Sequence, residues 1–462
     1  MSQLDLARLQ FAMTSIYHFL FVPVTIGLSF LIALLQTTWH RTGRAEYLRL
    51  TRFFGTLLVI NVAVGVVTGL VQEFQFGMNW STYARTVGDV FGAPLAMEGL
   101  AAFFLESTVL GLWLFGWHIL SPRLHLLTIW LVAVGGVLSA AFIMAANSWM
   151  QNPVGYAINP ATGRPQLDDI AAVMTNPVFL RSYLHVVLAS LITGAAIMLA
   201  VAAWQLRTGK EPAVFAPAAR LSLVVLVPTL LVNLLVGSEL GVTEAEFQPM
   251  KIAASEAQWE TCAPCSFSLF QIGGGKNDHD PIKIIQIPHL LSLLATNSWN
   301  GQVLGLDEVQ STYEQRYGPG EYVPNVFVQY WAMRVMAYTA GILLLFSLWG
   351  LWRQWRRQLS VSTAFLRLAG WAAILPLVIN TAGWVLTENG RQPWIVQGLL
   401  LTSDGVSPSV STAEVVVSIV VFFLLYAALT ALAAVLMARY ARKDLPPAAE
   451  PDRPVDVPAM TF

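Results

Sequence analysis

Nine long, mostly apolar stretches run through this sequence, and no other feature restricts its fold as strongly. Each stretch is long enough to cross about 30 Å of hydrocarbon as an α-helix. The stretches lie near residues 11–38, 53–75, 92–118, 126–149, 183–206, 219–240, 327–352, 365–387 and 412–438. The sequence therefore predicts an all-α, polytopic membrane protein with about nine transmembrane helices.

The composition supports this fold class. Hydrophobic residues make up 56% of the chain and charged residues only 11%, and the mean hydropathy is +0.60. Soluble domains carry charge on about a quarter of their residues. The formal net charge is -1 and the basic residues are scattered, which argues against a nucleic-acid partner. The first apolar stretch is too long for a cleaved signal and has no cleavage site, so we expect it to remain as a helix.

Lysines and arginines in the loops predict the orientation of the helices, because cytoplasmic loops carry an excess of both. One set of alternate loops holds most of them: Arg41, Arg44, Arg49, Arg52, Arg123, Arg207, Lys210, Arg220, Arg353, Arg356, Arg357, Arg367, Arg439, Arg442 and Lys443. That set should face the cytoplasm, with the N-terminus outside and the C-terminus inside.

The same pattern divides the chain into four parts. Residues 1–240 form transmembrane helices 1–6, and residues 326–440 form helices 7–9. Residues 441–462 form a cytoplasmic tail that is rich in proline and charge and is predicted to be disordered. Residues 241–325 form a large hydrophilic segment, which the predicted topology places outside. A loop of this length in a compact protein is usually functional or disordered, and this one mixes aromatic residues, glycines and charges rather than being a low-complexity linker.

Two carboxylic acids, Glu98 and Glu106, lie within the third apolar stretch. A charged side chain in the middle of a bilayer costs from about 3 to more than 10 kcal/mol, so such residues usually face water or protein and belong to a functional path. Eight residues on a helix advance about 80° around its axis, so one neighbouring helix could contact both acids. The alternative is that each acid is protonated and only hydrogen-bonds a nearby helix.

Two of the seven histidines, His18 and His185, lie well inside the first and fifth stretches. A single histidine in a membrane helix is more often a hydrogen-bonding residue than a ligand. This chain has two such histidines and several internal acids, so ligation of haem or metal is as good an interpretation as hydrogen bonding. A histidine and a methionine together can hold a six-coordinate haem that transfers electrons.

Six segments of the chain resemble subunit I of the cytochrome bd-type quinol oxidases. They are RLQFAMTSIYHFLFVPVTIG around His18, EFQFGMNWS at 73–81, GDVFGAPLAMEGLAAFFLEST at 88–108, ANSWMQNPVG at 146–155, KIAASEAQWET at 251–261 and ENGRQPW at 388–394. These motifs are long, follow the family's order and extend over nearly the whole chain. The chain is similar to the members with a short quinol loop.

The resemblance implies an activity, cofactors and partners. A member of this family oxidises membrane quinol, either menaquinol or ubiquinol, and reduces oxygen to water, which contributes to the proton gradient. It lies in the bacterial cytoplasmic (inner) membrane and forms a heterodimer with subunit II of the oxidase. The resemblance leaves open whether a small single-helix subunit is a further partner. The implied cofactors are a low-spin haem b, a high-spin haem b and a haem d.

The resemblance also implies which residues ligate haem iron. His185 and Met336 match the axial pair of the low-spin haem b. His18 matches an axial ligand of one of the two haems at the oxygen site, and Glu388 matches the ligand of the other. Which of these two places holds haem d is left open.

Other residues match the family's proton and substrate sites. Glu98 and Glu106 match acids near the high-spin haems, where they serve proton supply or ligation. Arg391 matches an arginine near the haem groups and would suit a propionate, although an arginine at a helix end is often only a solvated anchor. Lys251 and Glu256 match positions of the quinol loop. Five residues on a helix are about 140° apart, so spacing alone predicts ordinary surface charges.

Cys262 and Cys265 form a Cys-x-x-Cys pair in the hydrophilic segment. Such a pair can be redox-active, can be half of a zinc site, or can form a local disulfide on the oxidising side of the membrane. The sequence leaves these alternatives open.

Two other classes of function compete with the oxidase. The chain could be a cation transporter or channel, in which the buried acids relay cations. It could also be a quinol-linked haem b subunit that passes electrons to a partner and never meets oxygen. The four candidate ligands His18, His185, Met336 and Glu388 favour the oxidase, and a reduced-minus-oxidised visible spectrum separates all three.

Overall fold

The structure is a computed structural model that describes residues 2–276 and 278–445. Within these residues, nine helices are long and apolar enough to span a membrane, as predicted. They are α1 (Gln3–Thr42), α2 (Ala45–Met78), α3 (Ser81–His118), α4 (Pro122–Gln151), α5 (Pro177–Arg207), α6 (Pro212–Phe247), α7 (Val326–Trp355), α8 (Thr363–Arg391) and α9 (Thr412–Ala441). The predicted all-α membrane fold is therefore correct.

Helix ends follow local sequence signals. Ser2 and Asp5 form a capping box at the start of α1, and Ser411 and Glu414 form another at the start of α9. In each box the serine hydroxyl accepts from a backbone N–H and the acid accepts from the serine N–H, which satisfies donors that the first turn leaves free. At α7, the Asn325 side chain accepts from Val328 N at 3.1 Å.

Helix α3 is irregular where it carries the two acids. It is α-helical over Ser81–Met97, π-helical over Glu98–Phe103 and α-helical again over Phe104–Phe115. Pro94 lies just before the π-helical segment and has no backbone N–H to donate. Short π-helical turns within α-helices often lie at functional sites.

Small residues bring the central helices into backbone contact. A Cβ added at Gly27 of α1 would overlap Ser190 O and approach Gly194 N of α5 to 2.7 Å. Close approach at small residues is a common way for membrane helices to associate, because lipid supplies no hydrophobic drive between them. Buried leucines such as Leu31 and Leu199 fill the layer around this crossing.

Three short antiparallel strand pairs lie outside the spanning helices. They are β1 (Tyr156–Ile158) with β2 (Pro165–Leu167), β3 (Phe267–Ile272) with β4 (Ile282–Ile287), and β5 (Trp394–Val396) with β6 (Leu400–Leu401).

The hydrophilic segment starts later than predicted, because α6 continues past residue 240 to Phe247. Residues 248–325, called the loop segment below, are folded. They form three short helices around the β3–β4 hairpin: Pro249–Ser255, Leu290–Thr296 and Leu306–Tyr317. An aromatic cluster packs this segment against the residues that follow α8. The cluster includes a stacked pair of Tyr322 and Trp394 with ring centroids 5.5 Å apart.

The predicted disordered tail begins with residues that contact the rest of the fold. Gln205 Nε2 donates to Ala441 O at 2.7 Å and to Lys443 O at 3.1 Å, and Lys210 Nζ lies 2.6 Å from Asp444 Oδ1. Residues 441–444 therefore have partners within the fold, and the disordered tail stays a prediction. Residues 446–462 lie outside the described part of the chain.

Candidate functional site

A cavity of about 890 Å³ lies among α1, α2, α3, α4 and α8. Its wall is mostly apolar, and five of the predicted site residues line it: His18, Glu98, Glu106, Glu388 and Arg391. These residues come from three different helices, α1, α3 and α8, and are up to 373 positions apart in sequence, as counted from His18 to Arg391. The fold thus brings most of the predicted haem and proton residues to one space.

His18 is held in one orientation by α2. Its Nδ1 lies 2.9 Å from Thr68 Oγ1, and the Thr68 hydroxyl donates to Gly65 O at 2.8 Å. Because that hydroxyl proton is used on Gly65, the threonine oxygen accepts the proton of His18 Nδ1–H. The neutral ring then keeps the lone pair of Nε2 available, which is the usual arrangement for a histidine ligand supported by a hydrogen bond.

Glu98 and Glu106 share α4 as a neighbour, so this geometric prediction is confirmed. Ser139 Oγ donates to Glu98 Oε1 at 2.6 Å. Glu106 packs against two glycines, and a Cβ added at Gly136 would lie 3.8 Å from both of its carboxylate oxygens. The glycine leaves room beside the Glu106 carboxylate, which faces the cavity.

Glu388 is held from two sides. Asn147 Nδ2 donates to its Oε1 at 2.9 Å, and Arg391 forms an ion pair with its Oε2. Arg391 is buried and also donates to Ile395 O, so the alternative that it is a solvated anchor is wrong. The Nε of Arg391 is buried without a hydrogen-bond partner among the described residues. This unpaired N–H could donate a hydrogen bond to an anionic group bound in the cavity.

His185 and Met336 do not appear among the described residues that line the cavity. Each lies against a glycine of a neighbouring helix. A Cβ added at Gly237 of α6 would be 3.2 Å from His185 Cε1, and one added at Gly383 of α8 would be 3.1 Å from Met336 Sδ. The buried Nδ1 of His185 has no hydrogen-bond partner among the described residues.

Lys251 is buried, with only 1% of its side chain exposed. Its Nζ donates to Glu244 Oε1 at 2.8 Å and also to Gln151 Oε1. The expectation from spacing, an ordinary surface charge, is wrong for this residue. A lysine can be buried in the charged form when an acid and further acceptors surround it.

Glu256 is also buried, and its partner comes from α7. Arg334 Nη1 and Nη2 lie 3.1 and 2.7 Å from the two oxygens of Glu256, and Nη2 also donates to Ser268 O at 2.7 Å. Burial raises the pKa of the Glu256 carboxyl above its ordinary value, and the Arg334 guanidinium opposes that rise. Glu256 is therefore not a surface charge either, but it does not share a partner with Lys251.

A line of hydrogen bonds connects Lys251 to the cavity. Lys251 donates to Gln151, Gln151 Nε2 donates to Asn147 Oδ1 at 2.9 Å, and Asn147 donates to Glu388. Neither Gln151 nor Asn147 was predicted from the sequence. Both lie in the ANSWMQNPVG segment and are four residues apart. This spacing places them next to each other on one face of a helix, which could have indicated a hydrogen-bonded pair.

Arg334 and Glu244 were missed as well. Arg334 lies in the same MRVM segment as Met336, and a cation in an apolar helix is itself a sign of function.

Cys262 and Cys265 form a disulfide with their Cα atoms 5.2 Å apart. Cys262 also pairs with Val303 through two backbone hydrogen bonds. The described residues contain no group of His, Cys, Asp and Glu that could hold a metal ion, which leaves the zinc alternative without support.

Comparison with known proteins now decides between the competing functions. The sequence profile of the family described as cytochrome bd terminal oxidase subunit I matches residues 6–445. The chain belongs to this family. The alternatives of a cation transporter and of a haem b subunit that never meets oxygen are therefore wrong. Membership implies haem cofactors and a second subunit.

Individual relatives agree over nearly their full length. Cytochrome bd ubiquinol oxidase subunit 1 of Bacillus subtilis (strain 168) is 43% identical, with 100% of this chain and 97% of the relative aligned. Cytochrome bd-II ubiquinol oxidase subunit 1 of Escherichia coli (strain K12) is 36% identical, with 95% and 96% aligned. The structure of bd oxidase from Geobacillus thermodenitrificans superposes with a TM-score of 0.87 at 30% identity and covers 96% of this chain and 98% of that chain.

The residues in place fit haem groups. His185 has a ring nitrogen without a hydrogen-bond partner among the described residues, and the imidazole of His18 is oriented with its Nε2 lone pair available. Histidine and methionine are ordinary axial ligands of haem iron.

Proposed function

We propose that this chain is the haem-binding subunit of a quinol:oxygen oxidoreductase that oxidises membrane quinol and reduces oxygen to water. The observation that supports this most strongly is the single cavity shared by His18, Glu388 and the two acids. It combines candidate iron ligands with candidate proton donors, which oxygen reduction needs together. Two of the relatives are named ubiquinol oxidases, and a third, 28% identical, is named a putative menaquinol oxidase.

The proposed cofactors are a low-spin haem b, a high-spin haem b and a haem d. His185 and Met336 would hold the low-spin haem b, which would pass electrons on and would not bind oxygen. His18 and Glu388 would hold the other two at the cavity, with Arg391 donating to a propionate. Bound haem supplies the iron that carries electrons and binds oxygen.

The two acids of α3 would deliver protons to the cavity. Reduction of one oxygen molecule to water consumes four protons, and carboxyls can relay protons when they face the reacting group. Glu106 faces the cavity beside Gly136, and Glu98 is fixed by Ser139 nearby. We assign Glu106 to the inner end of this path and Glu98 to the next position.

The loop segment would bind quinol. Lys251 Nζ would donate a hydrogen bond to one oxygen of the quinol head. The ionised Glu256 would accept a proton from a hydroxyl of the quinol. Arg334 positions Glu256 with two hydrogen bonds, and Gln151 and Glu244 position Lys251. Both charges are thus oriented before substrate arrives, which lowers the entropy lost on binding.

The proposed location is the bacterial cytoplasmic membrane, with the N-terminus and the loop segment outside and the C-terminus in the cytoplasm. The proposed complex is a heterodimer with subunit II. Affinity purification through a tag on this chain should recover the second subunit in equal amount, and a small single-helix subunit would appear as a third component. Recovery of this chain alone, with full haem content and activity, would contradict the heterodimer.

Purified complex tests the function directly. The reduced-minus-oxidised spectrum should show b-type haem and a red-shifted chlorin band of haem d. Quinol-dependent oxygen consumption should accompany these bands, and comparison of ubiquinol with menaquinol analogues identifies the quinone. A spectrum with b-type haem but no chlorin band, and no oxygen consumption, would overturn the proposal.

A further inference from the structure

The β3–β4 hairpin of the loop segment carries an apolar surface that remains exposed in the described structure. Strand β4 reads IKIIQI, so isoleucines follow one another without the polar alternation expected of a strand with one face in water. The exposed side chains and their exposed fractions are Phe270 41%, Ile272 58%, Ile282 67%, Ile284 54%, Ile285 52% and Ile287 38%. Apolar patches of this kind mark an interaction surface.

Strand β3 lies along the first turns of α7. The ring of Phe270 packs edge-on against Trp331 with centroids 5.1 Å apart, and the Tyr338 hydroxyl donates to Leu269 O. Arg334 Nη2 donates to Ser268 O at 2.7 Å. These contacts attach the hairpin to α7 over a length of several residues, from Trp331 to Tyr338.

The opposite end of α7 shows where the membrane begins. Trp352 and Trp355 are exposed there, next to Arg353, which is the arrangement of a membrane interface. About 20 helical residues cross the hydrocarbon layer, so counting back from Trp352 places the other boundary near Ala332. Trp331 and Tyr338 lie on either side of this boundary. The hairpin that contacts them is therefore at the level of the lipid headgroups and the upper acyl chains.

The hairpin continues the lipid-facing surface of α7. Phe327, Val335, Ile342 and Leu345 are exposed along that helix. The turn of the hairpin is polar, and its Lys276 forms an ion pair with Glu321 at 2.5 Å. A two-stranded hairpin also has edge N–H and C=O groups that need partners, which the headgroup layer supplies and the hydrocarbon core does not.

We propose that the β3–β4 hairpin docks on the lipid bilayer, with the isoleucines of β4 inserted among the headgroups and upper acyl chains beside α7. The partner is the lipid surface itself rather than a protein. This anchoring would hold Ser268, and through Arg334 also Glu256, at a constant depth relative to the membrane.

Fluorescence quenching tests the proposal. The chain has two cysteines and they are paired, so Ile285→Cys adds its only free thiol. The complete oxidase with this variant, labelled with bimane, is placed in phosphatidylcholine nanodiscs that contain lipids spin-labelled in the upper acyl chain. Ile284→Cys is a second probe in case a label at 285 disturbs the pairing with Phe270. Ser311→Cys, exposed on the Leu306–Tyr317 helix of the same loop segment, is the matched control.

The labels at 285 and 284 should be quenched several-fold more by the spin-labelled lipids than the label at 311, and less by aqueous iodide. Unsubstituted complex gives the background from any cysteines of the second subunit. Strong quenching by iodide alone would show that the hairpin lies in water. Weak quenching by both agents would show that protein covers it, and either result overturns the proposal.

Discussion

The cavity and the loop segment differ in the surroundings of their ionisable side chains. In the cavity, His18, Glu98 and Glu106 face an open volume of about 890 Å³. In the loop segment, Lys251 and Glu256 are buried, and each has an opposite charge from the chain, at 2.8 and 2.7 Å. Among the described residues, His18, Glu98 and Glu106 have no opposite charge as a partner, although Glu388 and Arg391 of the same cavity pair with each other. The loop segment, in contrast, pairs both of its buried charges.

This difference fits two kinds of ligand. A resident cofactor can supply the missing partners permanently, so a cavity can leave donors such as Arg391 Nε unpaired among the described residues. A substrate that binds and dissociates cannot supply such permanent partners, because the site must also be stable when it is empty. Buried charges there need partners of their own, since removal of one partner from a buried pair costs about 3–5 kcal/mol.

Replacement of Met336 with Leu should have the largest effect. The low-spin haem would lose one of its two strong ligands and become five-coordinate and high-spin, which visible and electron paramagnetic resonance spectra detect. Met198→Leu, a buried methionine of α5 that packs in the apolar core, is the matched control and should leave the spectrum unchanged. An intact low-spin signal in Met336→Leu would show that the His185 and Met336 assignment is wrong.

Arg334→Leu should destabilise the loop segment by about 3–5 kcal/mol, because it leaves the Glu256 carboxylate buried without its partner. Thermal unfolding of the complex and quinol oxidation measure the effect. The double variant Arg334→Leu with Glu256→Leu should regain much of the thermal stability but none of the quinol activity. A single variant as stable as the unsubstituted oxidase would mean that the ion pair does not hold the loop segment in place.

Glu106→Gln should slow oxygen reduction by about 100-fold, which is typical for loss of a proton-transferring side chain, with the low-spin haem retained. Glu46→Gln, which removes a carboxylate from a surface ion pair with Arg44, serves as the control. Loss of a high-spin haem would indicate that Glu106 ligates or supports the cofactor instead. Unchanged turnover would restore the packing interpretation for this acid.

Lys251→Ala should lower kcat/KM for quinol by about 10- to 100-fold, the range expected when a charged hydrogen bond of about 1.5–3 kcal/mol is lost. Haem spectra and oxygen reduction from an artificial donor should persist. Lys276→Ala changes an exposed lysine of the same loop segment and should have no effect on quinol kinetics. Equal loss of both activities in Lys251→Ala would mean that the lysine is structural.

The pH profile of quinol oxidation should show the smallest effect. Burial raises the pKa of Glu256, and a proton acceptor must be ionised. As the pH falls, kcat/KM should therefore begin to decline at a higher pH than it would if the acceptor were an ordinary, solvent-exposed glutamate. The positive charge of Arg334 opposes this rise in pKa, so Arg334→Gln should move the decline to still higher pH. A profile that is flat throughout the acidic range would exclude Glu256 as the proton acceptor.

The spanning helices were predictable because they depend on local hydrophobicity. Nine spans, the shared face of Glu98 and Glu106, and the long motifs of the family are all present in the linear sequence. The π-helical segment at Glu98–Phe103 was not predicted, although Pro94 just before it gave a weak signal. The resemblance supplied candidate ligands, but it could not show that the helices place them around one cavity.

The charge pairs of the loop segment depended on tertiary structure. Spacing failed to show that Lys251 and Glu256 are buried, because the surrounding chain covers the short helix on which Lys251 lies and Glu256 at its end. The charge partner of Lys251, Glu244, is only seven residues away, but its second partner, Gln151, is 100 residues away, and Arg334 is 78 residues from Glu256. Local propensity and periodicity carry no information over such distances. The sequence by itself determined which residues cross the membrane, and only the packing of the helices decided which buried charges meet a partner and which face an open cavity.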